Sequence, residues 1–164
     1  MEIPKIKGKP AKAHSSHPSH VNVKSNIWLS VALGFWAAVI SSLIWYALVV
    51  ISGWQIGIIA IFVGYIVGYA VMYGSGNAGS RTLQIIGVSL TLFGMILSEY
   101  LISRHYISKY LVGEGYESLP LLLSPDKIFM IVKDAVVSDP LTLLFWAIAL
   151  WGAFSVAKPA VHTA

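Results

Sequence analysis

The chain has 164 residues, is 57% hydrophobic and 11% charged, and has a mean hydropathy of +0.75. A soluble domain carries about 25% charged residues, so this composition argues against a water-facing surface and for an integral membrane protein. The absence of cysteine removes disulfides, thiolate metal sites and thiol nucleophiles; the formal net charge of +4 is unevenly spread.

Residues 1–26 read as a polar, basic tail. Lys5, Lys7, Lys9, Lys12 and Lys24 stand against one acid, Glu2, and Pro4, Pro10 and Pro18 interrupt any periodicity. Alone in water such a segment is expected to be disordered. The apolar stretch after it is longer than a signal-peptide core and lacks a clear A-x-A site. His14, His17 and His20 have H-x-x-H-x-x-H spacing. Without a scaffold or further ligands, that spacing reads as solvated tail or partner contact rather than a metal site.

Four apolar stretches follow, at about 27–51, 54–73, 83–102 and 140–157. Each has roughly the 17–25 residues that cross a hydrocarbon core as a helix. The expected fold is all-α: an integral membrane bundle of four transmembrane helices over 27–158, with a short tail at 159–164. The loop at about 103–139 contains Ser124-Pro125, a helix-start pair of N-cap serine and first-turn proline. Ile128, Phe129, Ile131, Val132, Ala135 and Val136 then recur at helical spacing, with Lys127, Lys133 and Asp134 off the stripe. This predicts an extra amphipathic interfacial helix. Leu119-Pro120-Leu121-Leu122-Leu123 before it is apolar enough to dip into the interface. The positive-inside rule puts both termini in the cytoplasm: the five tail lysines, Arg81 and Lys158 lie on one side, and the acid-balanced 103–139 loop on the other.

Gly74-Ser75-Gly76-Asn77-Ala78-Gly79 matches the dinucleotide fingerprint G-x-G-x-x-G, and Glu99 falls about twenty residues later, where a ribose partner is sought. The match fails on context. A transmembrane helix precedes it instead of a strand, and a helix from 82 to 99 would carry Glu99 about 25 Å away from the glycines. The turn reads instead as a hairpin connection. Gly76, Gly79 and Arg81, with the start of the third helix, are candidates for holding a lipid headgroup.

Small residues line one face of each of the first three spans. Gly53, Gly57, Ala60, Gly64 and Gly68 do so in the second, with Gly64–Gly68 forming a GxxxG motif. Gly87, Thr91, Gly94 and Ser98 do so in the third, and Gly34, Ala38, Ser41 and Ser42 in the first. In lipid, small faces let backbones approach closely. Two destinations are open for Gly57, Gly64, Gly68, Gly87 and Gly94: packing within the bundle, or docking onto a partner's helix.

Glu99 is the one ionisable residue inside a span, within a turn of its expected end, and Arg104 and His105 follow. It reads as an interfacial carboxylate, paired or hydrated, or as an ion or partner contact with Arg104. The span serines have no intramembrane base, no H-E-x-x-H or P-loop is present, and no histidine falls within a span. The expectation is no enzyme, no cofactor and no metal.

The runs GIIAIFVGYIVGYAVMYGSG (57–76) and LQIIGVSLTLFGMILSEYL (83–101) resemble an uncharacterised family of small bacterial four-helix integral membrane proteins. In that family a GxxAIxVGxxVG-type second span leads to a glycine-rich turn. Some relatives look as if they carry a zinc ribbon before the helices, which a chain without cysteine cannot share. The resemblance covers about 30–105 and implies four helices, with no activity attached. The expected function is a non-catalytic accessory or scaffolding subunit of a larger membrane complex, with an energy-converting one, respiratory or photosynthetic, as the expected kind of host. Lipids are expected partners, while nucleic acid and soluble substrates are not. The alternative is a small oligomeric transporter or channel using Glu99. The bacterial inner membrane is the expected location.

Overall fold

The computed structural model describes residues 26–54, 57–120 and 123–158. His14, His17 and His20 and the C-terminal tail lie outside the described residues. Five helices follow in order: α1 Ile27–Ser52, α2 Ile58–Gly74, α3 Arg81–Gly113, α4 Pro125–Ser138 and α5 Pro140–Val156. No strand occurs among the described residues, and the fold is all-α. Two helices, α1 and α3, are long and apolar enough to cross a membrane; α2 and α5 are apolar helices of 17 residues each.

Local chemistry sets most of the boundaries. Asn26 caps α1, its side chain accepting from Leu29 N at 3.3 Å. Gly53 ends it in the left-handed region (φ 67°), donating its N–H to Val49 O at 2.9 Å. The second helix therefore begins at Ile58, a turn later than the apolar stretch from 54 suggests. Ser80 caps α3 through a 3.2 Å bond from Leu83 N. This helix does not stop with its apolar stretch at 102. No glycine or proline interrupts residues 103–112, and the helix ends at Gly113, with Gly115 at φ 84° just beyond. At ~1.5 Å per residue it is about 50 Å long. Asp139 caps α5, accepting from Leu141 N and the Thr142 hydroxyl, each at 3.0 Å.

Paired contacts give the topology. Gly74 of α2 lies against Ser30 of α1, and Gly34 of α1 against Val71, so α1 and α2 are antiparallel. Gly94 of α3 meets Ala38 and Ser42 of α1, which makes α3 run parallel to α1. Gly64 and Gly68 of α2 meet Ala149 and Ala153 of α5, so those two are parallel. The α2–α3 pair forms the middle of the bundle. Both α1 and α5 pack on it, from opposite flanks, and they share no contact with each other among the described residues.

The side chains are sorted by size more than by polarity. Ala38, Ala60, Ala149 and Ala153 are buried, as are Ser30, Ser42, Thr91 and Ser98; Trp45 and Met95 fill the wider gaps. Trp36, Phe62, Tyr69, Ile85 and Trp151 point outward, each more than half exposed. A water-soluble bundle reverses this order. Small residues inside and large apolar ones outside are what close helix packing in lipid favours.

Beyond Gly113 the chain turns back along α3. Tyr116 N donates to Leu111 O at 2.9 Å. Arg104 then grips the returning segment, donating from Nε to Pro120 O at 2.8 Å and from Nη2 to Leu119 O at 2.6 Å. Ser108 Oγ accepts from Leu119 N at 3.3 Å. After this descent, α4 climbs again. Pro125 and Ile128 share a cleft with Ile96, while Ile131, Asp134 and Ser138 lie beside Ile102, Ser103 and Tyr106. The fourth helix is thus seated along α3 and against α5.

Candidate functional site

The glycine faces lead into the interior of the bundle. A Cβ added at Gly64 would lie 2.8 Å from the carbonyl carbon of Ala149 and 2.9 Å from its Cα. One added at Gly68 would lie 3.0 Å from Ala153 Cα. At Gly57 it would meet the Phe145 ring, and at Gly94 the Ser42 hydroxyl at 3.2 Å. Gly87 is looser, with Ala153 O at 3.7 Å. All five glycines face other helices of this same chain. Gly64, Gly68 and Gly94 are used in close internal packing, while Gly57 is half-buried.

Polar groups inside the bundle mostly bind backbone. The Ser42 hydroxyl lies 2.6 Å from Ala38 O on its own helix and 2.7 Å from Gly94 O across the α1–α3 seam. Ser98 Oγ donates within α3, to Gly94 O at 2.9 Å or Met95 O at 3.0 Å. Gln84 Nε2 donates to Phe154 O at 3.0 Å, tying α3 to α5. Trp45 Nε1 and Thr91 Oγ1 are buried with no hydrogen-bond partner among the described residues.

Glu99 is 1% exposed. It lies about 27 Å along α3 from the helix start at ~1.5 Å per residue. Glu99 is enclosed by protein and engaged there. Arg104, the other candidate ion or partner contact, holds the Leu119 and Pro120 carbonyls.

His105 was legible only as a residue past a span. The structure brings it against α1: its Nδ1 lies 3.2 Å from Tyr46 Oη, and the two rings meet edge to face at 5.8 Å. Tyr106 reaches the same helix end, its hydroxyl 3.4 Å from Val49 O. The signal for this cluster is faint in sequence. Only the parallel course of α1 and α3 puts Tyr46 beside His105.

The glycine-rich turn lies between two helices, α2 and α3, which excludes the strand–turn–helix setting of a dinucleotide site. Gly76 (φ 70°) and Asn77 (φ 63°) adopt left-handed backbone that tightens the turn. Gly76 lines an open hollow with Asn26 and Tyr73, whereas Arg81 is exposed at the first position of α3 and does not line it. The proposed headgroup residues are neighbours in chain but do not share that hollow. No three acidic, histidine or cysteine side chains group as a metal site among the described residues.

No protein-family model, curated protein or solved structure matches the chain. The resemblance of residues 57–76 and 83–101 to small bacterial four-helix membrane proteins rests on those residues alone.

Proposed function

We propose that the chain is a four-span integral membrane protein of a bacterial inner membrane, with cytoplasmic termini, serving as a non-catalytic accessory subunit of a larger membrane complex. Supporting four spans, the two 17-residue helices pack between or beside α1 and α3 and present large apolar side chains outward. At ~1.5 Å per residue each is about 26 Å, within reach of a ~30 Å core.

The subunit reading rests on one observation, the far end of α3. This helix overshoots a ~30 Å hydrocarbon core by about 20 Å. Its end nevertheless carries apolar side chains: Tyr110 is 69% exposed, Val112 is 55% exposed, and Ile107 is exposed too. Apolar residues exposed outside the membrane, Ile107 and Tyr110 on one face of α3 and Val112 on another, expect protein cover. The glycine seams are used within the bundle, so we place the docking surface at this end of α3 instead.

The test is purification of a tagged chain from native membranes in mild detergent, with sizing and mass spectrometry. Stoichiometric co-purification of a larger complex is expected, and Tyr110→Ala with Val112→Asp should release it. A chain that runs alone, or a complex indifferent to both substitutions, overturns the reading.

A second reading, a small oligomeric transporter or channel, draws on the buried carboxylate of Glu99. It requires ion or solute flux in liposomes that Glu99→Gln abolishes.

A further inference from the structure

An apolar hollow lies beneath α4. It has a volume of about 460 Å³ and is lined almost wholly by carbon. Ile96 of α3 and Trp146 of α5 form its floor, and Ile128, Phe129 and Val132 of α4 form its wall. One charged group lines it, Lys133. That volume falls in the lower half of the ~300–1,000 Å³ range of ligand clefts, enough for one extended hydrocarbon chain.

The positions along α3 order the cleft by depth. Ile96 lies in the uncharged part of α3, before Glu99. Lys133 is adjacent in sequence to Asp134, which sits beside Ser103 and Tyr106. Lys133 is therefore about 10–15 Å further out than Ile96, at ~1.5 Å of rise per residue of α3. It is level with Arg104, where charge returns to the helix. Among the described residues Lys133 has no ion-pair partner. An apolar lining with one cation, Lys133, toward its outer end matches an acidic amphiphile.

We propose that this cleft holds one hydrocarbon chain of an acidic amphiphile, a membrane lipid whose anionic head lies at Lys133. The inference rests on the membrane-spanning reading, not on the subunit reading. The cleft is a poor seat for an extended peptide, which needs polar groups to meet its backbone, and the lining offers almost none. A bound chain also completes the seating of α4, whose Ile128, Ile131 and Val132 are only half-buried. Lys133 selects the head by charge, and the carbon lining accepts any chain of suitable length.

The experiment is native mass spectrometry of the full chain released from nanodiscs of phosphatidylglycerol and phosphatidylcholine with identical acyl chains. One lipid is retained per chain, with about a fivefold preference for phosphatidylglycerol, the effect of one lysine near an anionic head. Lys133→Glu, at an exposed position, keeps a retained lipid but loses the preference. Val132→Trp fills the cleft and loses the lipid of either kind, with helicity unchanged by circular dichroism. Equal retention of both lipids, indifferent to Lys133→Glu, means annular lipid only and overturns the proposal. So does a lipid-free spectrum, or a lipid-free dimer with a second copy on the cleft. Resistance of the chain to alkaline carbonate extraction is measured alongside. Extraction of the chain would sink the membrane reading itself, whereas a carbonate-resistant chain without lipid sinks the cleft alone.

Discussion

Replacing Gly64 by alanine adds a single methyl group and tests the α2–α5 seam directly. The new Cβ would meet Ala149 backbone at 2.8 and 2.9 Å, closer than carbon atoms pack, and backbone cannot swing aside as a side chain can. The two helices must separate locally, and overpacking of this kind costs about 1–3 kcal/mol. Alanine would otherwise favour the helix by about 1 kcal/mol over glycine, so the sign of the result is informative. Gly87 supplies the internal control. Its added Cβ would lie 3.7 Å from Ala153 O, an ordinary contact, and Gly87→Ala should be neutral or stabilising by up to about 1 kcal/mol. Both variants would be unfolded reversibly in mixed micelles, with helicity followed by circular dichroism. The expected gap between them is about 2–3 kcal/mol, with Gly64→Ala the weaker. If Gly64→Ala were as stable as Gly87→Ala, the close α2–α5 approach, and the argument that the glycines are used internally, would be refuted.

Two further outcomes are expected. Arg104→Ala removes two charge-assisted bonds, each worth about 1.5–3 kcal/mol when sheltered and less at this half-exposed site, so residues 114–120 should become protease-sensitive while α1–α3 packing persists; Arg104→Lys, lacking the fork, should rescue only partly. At the start of α4, the hydrogen bond from the Ser124 side chain, then backbone N–H groups and Lys127, hold the Asp126 carboxyl below its ordinary value of 3.8. A lowered folded value stabilises above the unfolded value and is lost as pH falls through the folded one. The first turn of α4 should therefore loosen below about pH 3.8, seen as faster exchange of its amides, and Asp126→Asn should flatten that dependence.

Much of this architecture was legible because lipid-like packing leaves a simple record. The helix start at Ser124-Pro125 follows from proline's fit to the first helical position, although the Ser124 side chain makes no cap hydrogen bond, and the glycine spacing of α2 announces a close approach. What the spacing does not say is whose backbone approaches. Gly64 meets α5, which lies beyond α3 and α4 in sequence, and nothing local to either segment marks the pairing. The 54–73 stretch overran the true start of α2 because hydropathy does not register a left-handed glycine such as Gly53. The 83–102 stretch fell short because hydropathy stops at Arg104, whereas helix formation tolerates arginine, histidine and lysine. The Arg104 clasp and the Tyr46–His105 pair depend on a side chain reaching across folded space, and they leave no periodic trace.

Because α1 and α5 lie on opposite flanks of the α2–α3 pair and do not touch among the described residues, the bundle has a natural order of completion. A chain made from its N-terminus can close α1, α2 and α3 on one another as soon as α3 is out, since every contact among them is already available. Gly57, Gly64 and Gly68 then stand uncovered on the far side of α2 until α5 arrives behind the whole of α3 and α4. For that interval the nascent protein displays a smooth, adhesive groove that the finished protein conceals. The risk of pairing with a wrong helix, and any need for a chaperone, is therefore concentrated before the last seventeen-residue helix is delivered.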